Sequence, residues 1–471
     1  MKSGTYFGRR RSEGCGFTVP ARQCQALAGG SPVKPQKLSS PQSLCLCGEQ
    51  IAFAVLLLSF LLFPCLSPAQ TRIEVTPMIT VSETYDDNIN LTKTNKQSDW
   101  ITVVTPGIAL GLHQEHTDFQ LNYAPSFTWY ADYDNYNNTA QSAGLTFGQD
   151  LVQNLRFNLM NTYLQSEDPL QDPQNVQGLR QTRNKYWTNI TNASFGYTFG
   201  AQSQVNVGYT YNYYRNDEIT LDDSTVQNPY ANLTYWFDVQ NGTELTYGFT
   251  DAQFTRDDNL FAASDYTSNA AGIRYLRRFT PNSTGYVGYN YATFDYERIL
   301  PQDFNVHNGL VGLDHSFSPE YTVSASLGYF IRVNEITDNQ DGPTYSASLI
   351  RRFDRGSITV GGNGGWSYEN LQQGVGLTSG FSQYYGGYVN GRYEIFERVN
   401  IYAGLSYRHD KYTLNSADFF RGNCGVRWDF LRYFFVALDY SYVDRSEDLG
   451  LDEYTGNRIM LSIGASKLYQ W

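Results

Sequence analysis

Long apolar runs are almost missing from this chain. In 471 residues only Ile51 to Leu66 (IAFAVLLLSFLLFPCL) is continuously hydrophobic. That is shorter than the roughly 20 residues a membrane-spanning helix needs. Ser67-Pro68-Ala69 follows, a small-x-small pattern, so the stretch reads as the core of a secretory signal cut after Ala69, with a mature start near Gln70. Cys65, preceded by Leu62-Phe63-Pro64, makes a poor lipoprotein signal, and no lipidation is expected. Cysteine is scarce too. Five of the six (Cys15, Cys24, Cys45, Cys47 and Cys65) precede the cut and only Cys424 follows it. This excludes a disulfide framework and a cysteine metal site.

Positive charge is also in deficit, with 34 Lys and Arg against 46 Asp and Glu. Residues 1–69 hold seven basic and two acidic residues, so processing takes the formal charge from −12 to about −17. Nucleic acid is thereby a poor partner. The first fifty residues are long for a signal, and Arg9-Arg10-Arg11 stands about forty residues from the apolar core, too far for a twin-arginine signal. A start codon assigned too far upstream is the favoured reading. A non-Met start near Val33 leaves Lys34 and Lys37 as an ordinary basic flank.

What the chain has in plenty is tyrosine: 38 residues, with aromatics at 15% and yet a mean hydropathy of −0.44. Those two facts fit together in a sheet with one face on lipid and the other on water. From Thr71 onward the residues alternate. In Val399 to Arg408, Val399, Ile401, Ala403, Leu405 and Tyr407 form one face, and Asn400, Gly404, Ser406 and Arg408 the other. That period of two specifies a strand. Tyr321 to Ile331 and Val205 to Tyr211 repeat the design.

Breaks in the alternation place nine short turns, near 113–116, 150–153, 200–203, 239–242, 280–283, 318–320, 354–356, 395–398 and 431–433. Ten longer connections fall near 86–99, 133–138, 167–183, 217–225, 257–264, 298–304, 336–342, 372–379, 414–418 and 447–454. The prediction is an all-β, single antiparallel up-and-down transmembrane barrel of about 20 strands, within a range of roughly 18–22, over residues 70–471. Short turns then face the periplasm and long loops the outside. A soluble propeller would repeat its sequence motifs, and none repeat.

The last strand adds a separate signal. Ile459, Leu461, Ile463, Ala465, Tyr469 and Trp471 share one face, resembling the recognition signal that outer-membrane proteins present to the barrel-assembly machinery. Tyr469 and Trp471 are its aromatic core, and Lys467 departs from it. The opening of the mature chain, Val75-Thr76-Pro77 through Val81-Ser82-Glu83-Thr84-Tyr85-Asp86-Asp87-Asn88-Ile89-Asn90-Leu91, resembles a β-barrel porin family of outer-membrane proteins associated with exopolysaccharide gene clusters. The resemblance implies a polysaccharide exporter or passive porin, and it brings no catalytic residues. No helical repeats precede the barrel strands, so any periplasmic polysaccharide-export partner is expected to be a separate polypeptide. Tyr85 is expected in an aromatic girdle. Asp86, Asp87, Asn88 and Asn90 read as an Asx-rich turn, since their spacing is not that of a calcium loop.

Chemistry is otherwise sparse, and no enzyme, cofactor or metal site is expected. His113 and His116 fall at a turn, and His307, His315 and His409 in strands. A membrane hydrolase needs a His beside a Ser. His409 faces outward by parity with Tyr407 and Lys411 and no Ser. The lumen is richer. Parity turns Arg274, Arg332, Arg352, Arg392, Arg408, Arg427 and Arg458 inward, with Asp314, Asp429 and Asp439. Trp236, Phe330, Tyr388 and Tyr402 join them. Arg rings favour anions and aromatic faces stack on sugars, a combination suited to an acidic glycan. Arg–Asp pairs that merely fill a wet interior are the plainer alternative. Four functions follow in order: polysaccharide export, passive porin, adhesin, enzyme. The loop at 167–183, stiffened by Pro169 and Pro173, is the candidate constriction. Outer-membrane lipid and lipopolysaccharide are the expected surroundings.

Overall fold

The computed structural model describes residues 71–168, 183–219, 222–255, 265–297, 303–334, 338–369, 380–412, 415–448, 450 and 453–471. The expected secretory signal and its cut, Pro169 and Pro173 lie outside them. Twenty strands of 12 to 17 residues follow one another. They run from β1 (Arg72–Asp86), β2 (Asp99–Gln114) and β3 (Thr117–Tyr130) to β19 (Phe434–Glu447) and β20 (Tyr454–Ser466). Each pairs antiparallel with the next, and β1 pairs with both β2 and β20. The sheet therefore closes and leaves no edge open to association. Beyond Lys467 the chain resumes as β21 (Tyr469–Gln470), which pairs with Glu74 and Val75 of β1.

The strand breaks fall where the alternation predicts them. The Glu397-Arg398 turn between β16 (Gly380–Phe396) and β17 (Val399–Lys411) puts Arg398 at φ 77°. One left-handed residue after the turn goes with the β-bulge between Glu394 and Phe396 at this hairpin. Alternation also decides the faces. Leu327, Leu405 and Val207 keep 67%, 55% and 51% of their surface on the outside of the barrel. Around it, tyrosines on seven of the described strands repeat one device. Each points its hydroxyl toward the loop end, to a polar side chain on the next strand. Tyr209 donates to Gln227 at 2.8 Å, Tyr247 to Asn269 at 2.9 Å and Tyr440 to Asn457 at 2.8 Å. Tyr123, Tyr289, Tyr329 and Tyr407 do the same with Gln141, His307, Asp341 and Asp418. A phenol with an apolar ring and a satisfied hydroxyl suits the outer membrane–water boundary. Tyr85 joins this girdle, its ring 5.2 Å from that of Trp100.

The buried apolar side chains lie inside the barrel at its loop end. The β1–β2 loop folds inward there. Ile89 packs on Ile101 and Tyr130, and Leu91 on Phe419 and Tyr454. Opposite, the tips of β15 (Gly356–Glu369) and β16 turn in. Trp366, Tyr368 and Phe381 meet Phe294, Phe304 and Phe330 on the inner wall. Tyr368 reaches as far as Tyr266 on β10 (Tyr266–Thr280), with ring centroids 5.5 Å apart. The cluster forms because Trp366, Tyr368 and Phe381 share one face of the paired tips, with Tyr368 opposite Phe381, and that apolar face is buried against the wall.

Candidate functional site

The lumen wall is the surface on which a solute can act. The seven predicted arginines lie on the parity opposite the lipid-facing residues. Arg274 sits between exposed Ile273 and Tyr275, and Arg427 between exposed Val426 and Trp428. Four have acid partners. Arg274 faces Glu244 at 3.6 Å, Arg427 holds Asp429 at 3.0 Å and Arg458 lies 3.3 Å from Asp86. Arg408 grips Asp410 with Nε and Nη2 at 2.7 and 2.6 Å. Arg332 instead lies 4.1 and 4.5 Å over the rings of Phe304 and Phe381, and donates to Gln340 at 3.1 Å. Arg352 donates to the Pro319 carbonyl at 3.3 Å. Arg392 has no ion pair among the described residues. Four of the seven thus sit in ion pairs, because an arginine in a confined lumen is costly without a partner.

Several of these pairs follow one pattern, Arg-x-acid, at Arg408/Asp410, Arg427/Asp429 and Arg445/Glu447. Two residues along a strand is the same face, so the pattern was readable in the sequence. The Arg445–Glu447 pair, buried and reinforced by Asn415 at 3.2 Å, was missed.

The expected aromatics divide. Phe330 is a correction: only 1% of it is exposed, so it belongs to the packed cluster and cannot meet a solute. Trp236, Tyr388 and Tyr402 remain on the wall, each lying across a glycine of the neighbouring strand. A Cβ placed on Gly242, Gly361 or Gly425 would fall 2.9, 2.6 and 2.5 Å from those rings. Only glycine admits so close an approach, and it presses the ring flat against the sheet. Tyr286 over Gly312 and Phe435 over Gly464 share the arrangement. Trp236 is capped by Arg278 at 4.1 Å and Phe435 by Arg427 at 3.8 Å.

The Asp86 to Leu91 stretch is an Asx-built turn, and it also closes the barrel seam. Asp86 accepts the Asn88 N–H at 2.9 Å. The Asp87 carboxylate accepts both the backbone and side-chain N–H of Asn457, at 2.6 and 2.7 Å. Asn88 donates to the carbonyls of Thr92 and Thr455, at 2.7 and 2.8 Å. Every acid of the motif is thus occupied by the chain itself. Arg183, at the edge of the longest loop, braces it by donating to Asn90 at 3.1 Å and to the Tyr130 hydroxyl at 2.6 Å. Lys93 pairs with Glu453 across the seam, holding that half-buried carboxyl below the usual carboxylate range.

On the outer face His409 does find an acid, which the sequence did not reveal. Asp418 on β18 (Ser416–Leu431) lies 2.8 Å from its Nδ1 and also accepts Tyr407, and Tyr385 stacks on the imidazole at 4.8 Å. Tyr469 and Trp471, the expected assembly signal, stack on each other at 6.2 Å on the outside.

A closed sheet of twenty strands, apolar outside, polar within and girdled by tyrosine, defines an outer-membrane β-barrel. No protein-family model matches the chain, and no curated protein matches it either. Among solved structures it is similar to Acinetobacter baumannii OccAB4 at 11% identity, covering 86% of this chain and 100% of that one, with a TM-score of 0.40. The FrpB iron transporter from Neisseria meningitidis (F3-3 variant) is similar at 8% identity, covering 85% and 82%, with a TM-score of 0.49. The siderophore receptor PirA from Pseudomonas aeruginosa is similar at 9%, covering 83% and 80%, with a TM-score of 0.48. The assignment rests on the chain's own closure and alternation.

Proposed function

We propose that this barrel is a channel for hydrophilic solutes and that its cargo is an exported exopolysaccharide. The observation that carries the reading is the inner wall, where flat aromatic rings alternate with hydrogen-bonding side chains. Aromatic faces stack on sugar rings while amides and guanidinia engage hydroxyls. A barrel of about 20 strands has room for a water-filled pore. The likeness of the Ser82 to Asn88 stretch to exopolysaccharide-associated porins supports the cargo. A separate periplasmic export protein would deliver the chain, and lipid and lipopolysaccharide would surround it.

The second reading is a passive porin for small hydrophilic solutes. The pairing of the lumen arginines favours it, because compensated charges hold no particular ion strongly. Deletion of the gene separates the two. Loss of surface polysaccharide, with polymer retained in the periplasm, is the expected result. Unchanged surface polysaccharide with slower uptake of small solutes would replace export by the porin reading.

A further inference from the structure

We propose that the inner wall of β16 to β18 binds an uncharged pyranose chain, between Tyr388 and Tyr402. This rests on the channel reading and names its ligand class. Tyr388 is paired with Ser406, and Arg392 with Tyr402, so the two rings are offset by four residues along adjacent strands. That separates them by about 14 Å, at roughly 3.4 Å per residue. Midway between them, Asn390 pairs with Gly404, and Gly404 with Asn423. A Cβ on Gly404 would fall 2.6 Å from Asn390 Oδ1 and 2.7 Å from Asn423 Oδ1, so both amides lean over a glycine floor. Neither amide has a protein hydrogen-bond partner among the described residues.

Two features set this patch apart. First, its rings are bare. Trp236, Phe435 and Tyr286 are covered by Arg278, Arg427 and Arg274, whereas no guanidinium among the described residues lies over Tyr388 or Tyr402. Second, the row crossing it, Thr359–Asn390–Gly404–Asn423–Ser441, holds no charge. The row of Tyr402 carries one charge of each sign, Arg392 beside it and Asp439 two strands beyond. The other cations nearby are Arg421, beside Ser406 in the row of Tyr388, and three that hold acids: Arg408 with Asp410, Arg427 with Asp429, and Arg458, which pairs with Ser441 at the far end of the uncharged row, with Asp86. A carboxylate ligand would select a guanidinium fork. Sugar hydroxyls both donate and accept, and an amide offers both in one group. Stacked pyranose faces and amide-bound hydroxyls are what this wall supplies.

The test uses the full barrel in planar bilayers, with maltohexaose, cellohexaose and laminarihexaose as neutral probes and hexagalacturonate as the charged one. At least one neutral hexasaccharide should interrupt the current at lower concentration than hexagalacturonate. Replacing both amides in N390A/N423A should weaken that block about ten-fold, the effect of two neutral hydrogen bonds. Y388A/Y402A should weaken it too, with salt conductance and heat-modifiable gel migration unchanged. Tighter block by hexagalacturonate, absence of block by all three neutral sugars, or unaltered block in both variants would each overturn the proposal. Calorimetric binding in detergent runs alongside. Sugar binding without any ion conductance would refute the channel reading and leave the sugar site standing.

Discussion

Arg408 and Asp410, two residues apart on one strand, form a two-pronged ion pair at 2.7 and 2.6 Å in which the carboxylate keeps no exposed surface. Arg408 also lies 4.3 Å over the Tyr384 ring. Removing the arginine strands a buried carboxylate. R408A should therefore destabilise the barrel by about 3–5 kcal/mol, whereas R408M/D410L, which removes both charges, should cost much less. Denaturant midpoints from gel migration after unfolding in urea check this. Equal costs for the two variants would show that the pair does not act as a unit.

Ion selectivity should follow pairing, not the number of arginines. R352Q/R392Q removes the two whose partners are a carbonyl and none described, and should move the reversal potential toward cations. R408Q/R458Q, in which a compensated pair loses its cation, should move it by altering Asp410 and Asp86 as well, and with loss of stability. The triple neutralisation of Arg332, Arg408 and Arg458 tests the expectation drawn from parity. Reversal potentials under a salt gradient separate these variants. An R352Q/R392Q channel with unchanged selectivity would mean that neither guanidinium faces the ion path.

The lipid face should resist charge. Leu405 is 55% exposed on the outside, so L405R should cost about 2–4 kcal/mol if its depth is near the midplane. Folding yield into vesicles measures it. Normal yield and stability would place Leu405 near a water boundary.

Cys424 is exposed on the same outer face, beside Gly391 and Ala403 in a shallow apolar groove of 680 Å³. It acts there as a small apolar filler. C424S should leave folding and conductance intact. In vesicles the thiol should react with an apolar maleimide and not with a charged, membrane-impermeant one. Rapid labelling by the charged reagent would contradict the lipid-facing placement.

The inward-folded first loop should limit the pore. L91D breaks its contact with Phe419 and Tyr454, and D87A removes the two bonds to Asn457. Both should raise single-channel conductance or its noise. The Lys93 tie to Glu453 also has a defined acid dependence. A depressed carboxyl adds stability above its unfolded value that is lost as the pH falls through the folded one. Conductance should hold steady from neutrality to about pH 5 and change only below the usual Glu range of about 4.3. A change centred near neutrality would assign the effect to a different group.

Much of this protein was legible without coordinates. Because a strand's side chains alternate with an exact period of two, Val399 to Arg408 alone showed one apolar and one polar face, and the breaks between such runs placed the strands and their connections. The same parity put Leu405 on lipid and Arg408 in the lumen. The Arg408–Asp410 pair could have been read in the same way, since i and i+2 must share a face, but it was not. Parity cannot say what lies across the sheet or how the strand tips bend. Asp418 reached His409 only through the β17–β18 register. Phe330 was removed from the lumen surface by the β15–β16 tips, which leave their pairing with β14 (Gln340–Phe353) and turn inward. The Asp86 to Leu91 stretch became a latch only when barrel closure brought Thr455 and Asn457 beside it, more than 360 residues away in sequence. Local pattern determined each strand and its two faces, because those depend on neighbours in sequence. Closure decided which side chains meet, because that depends on register summed around the whole sheet.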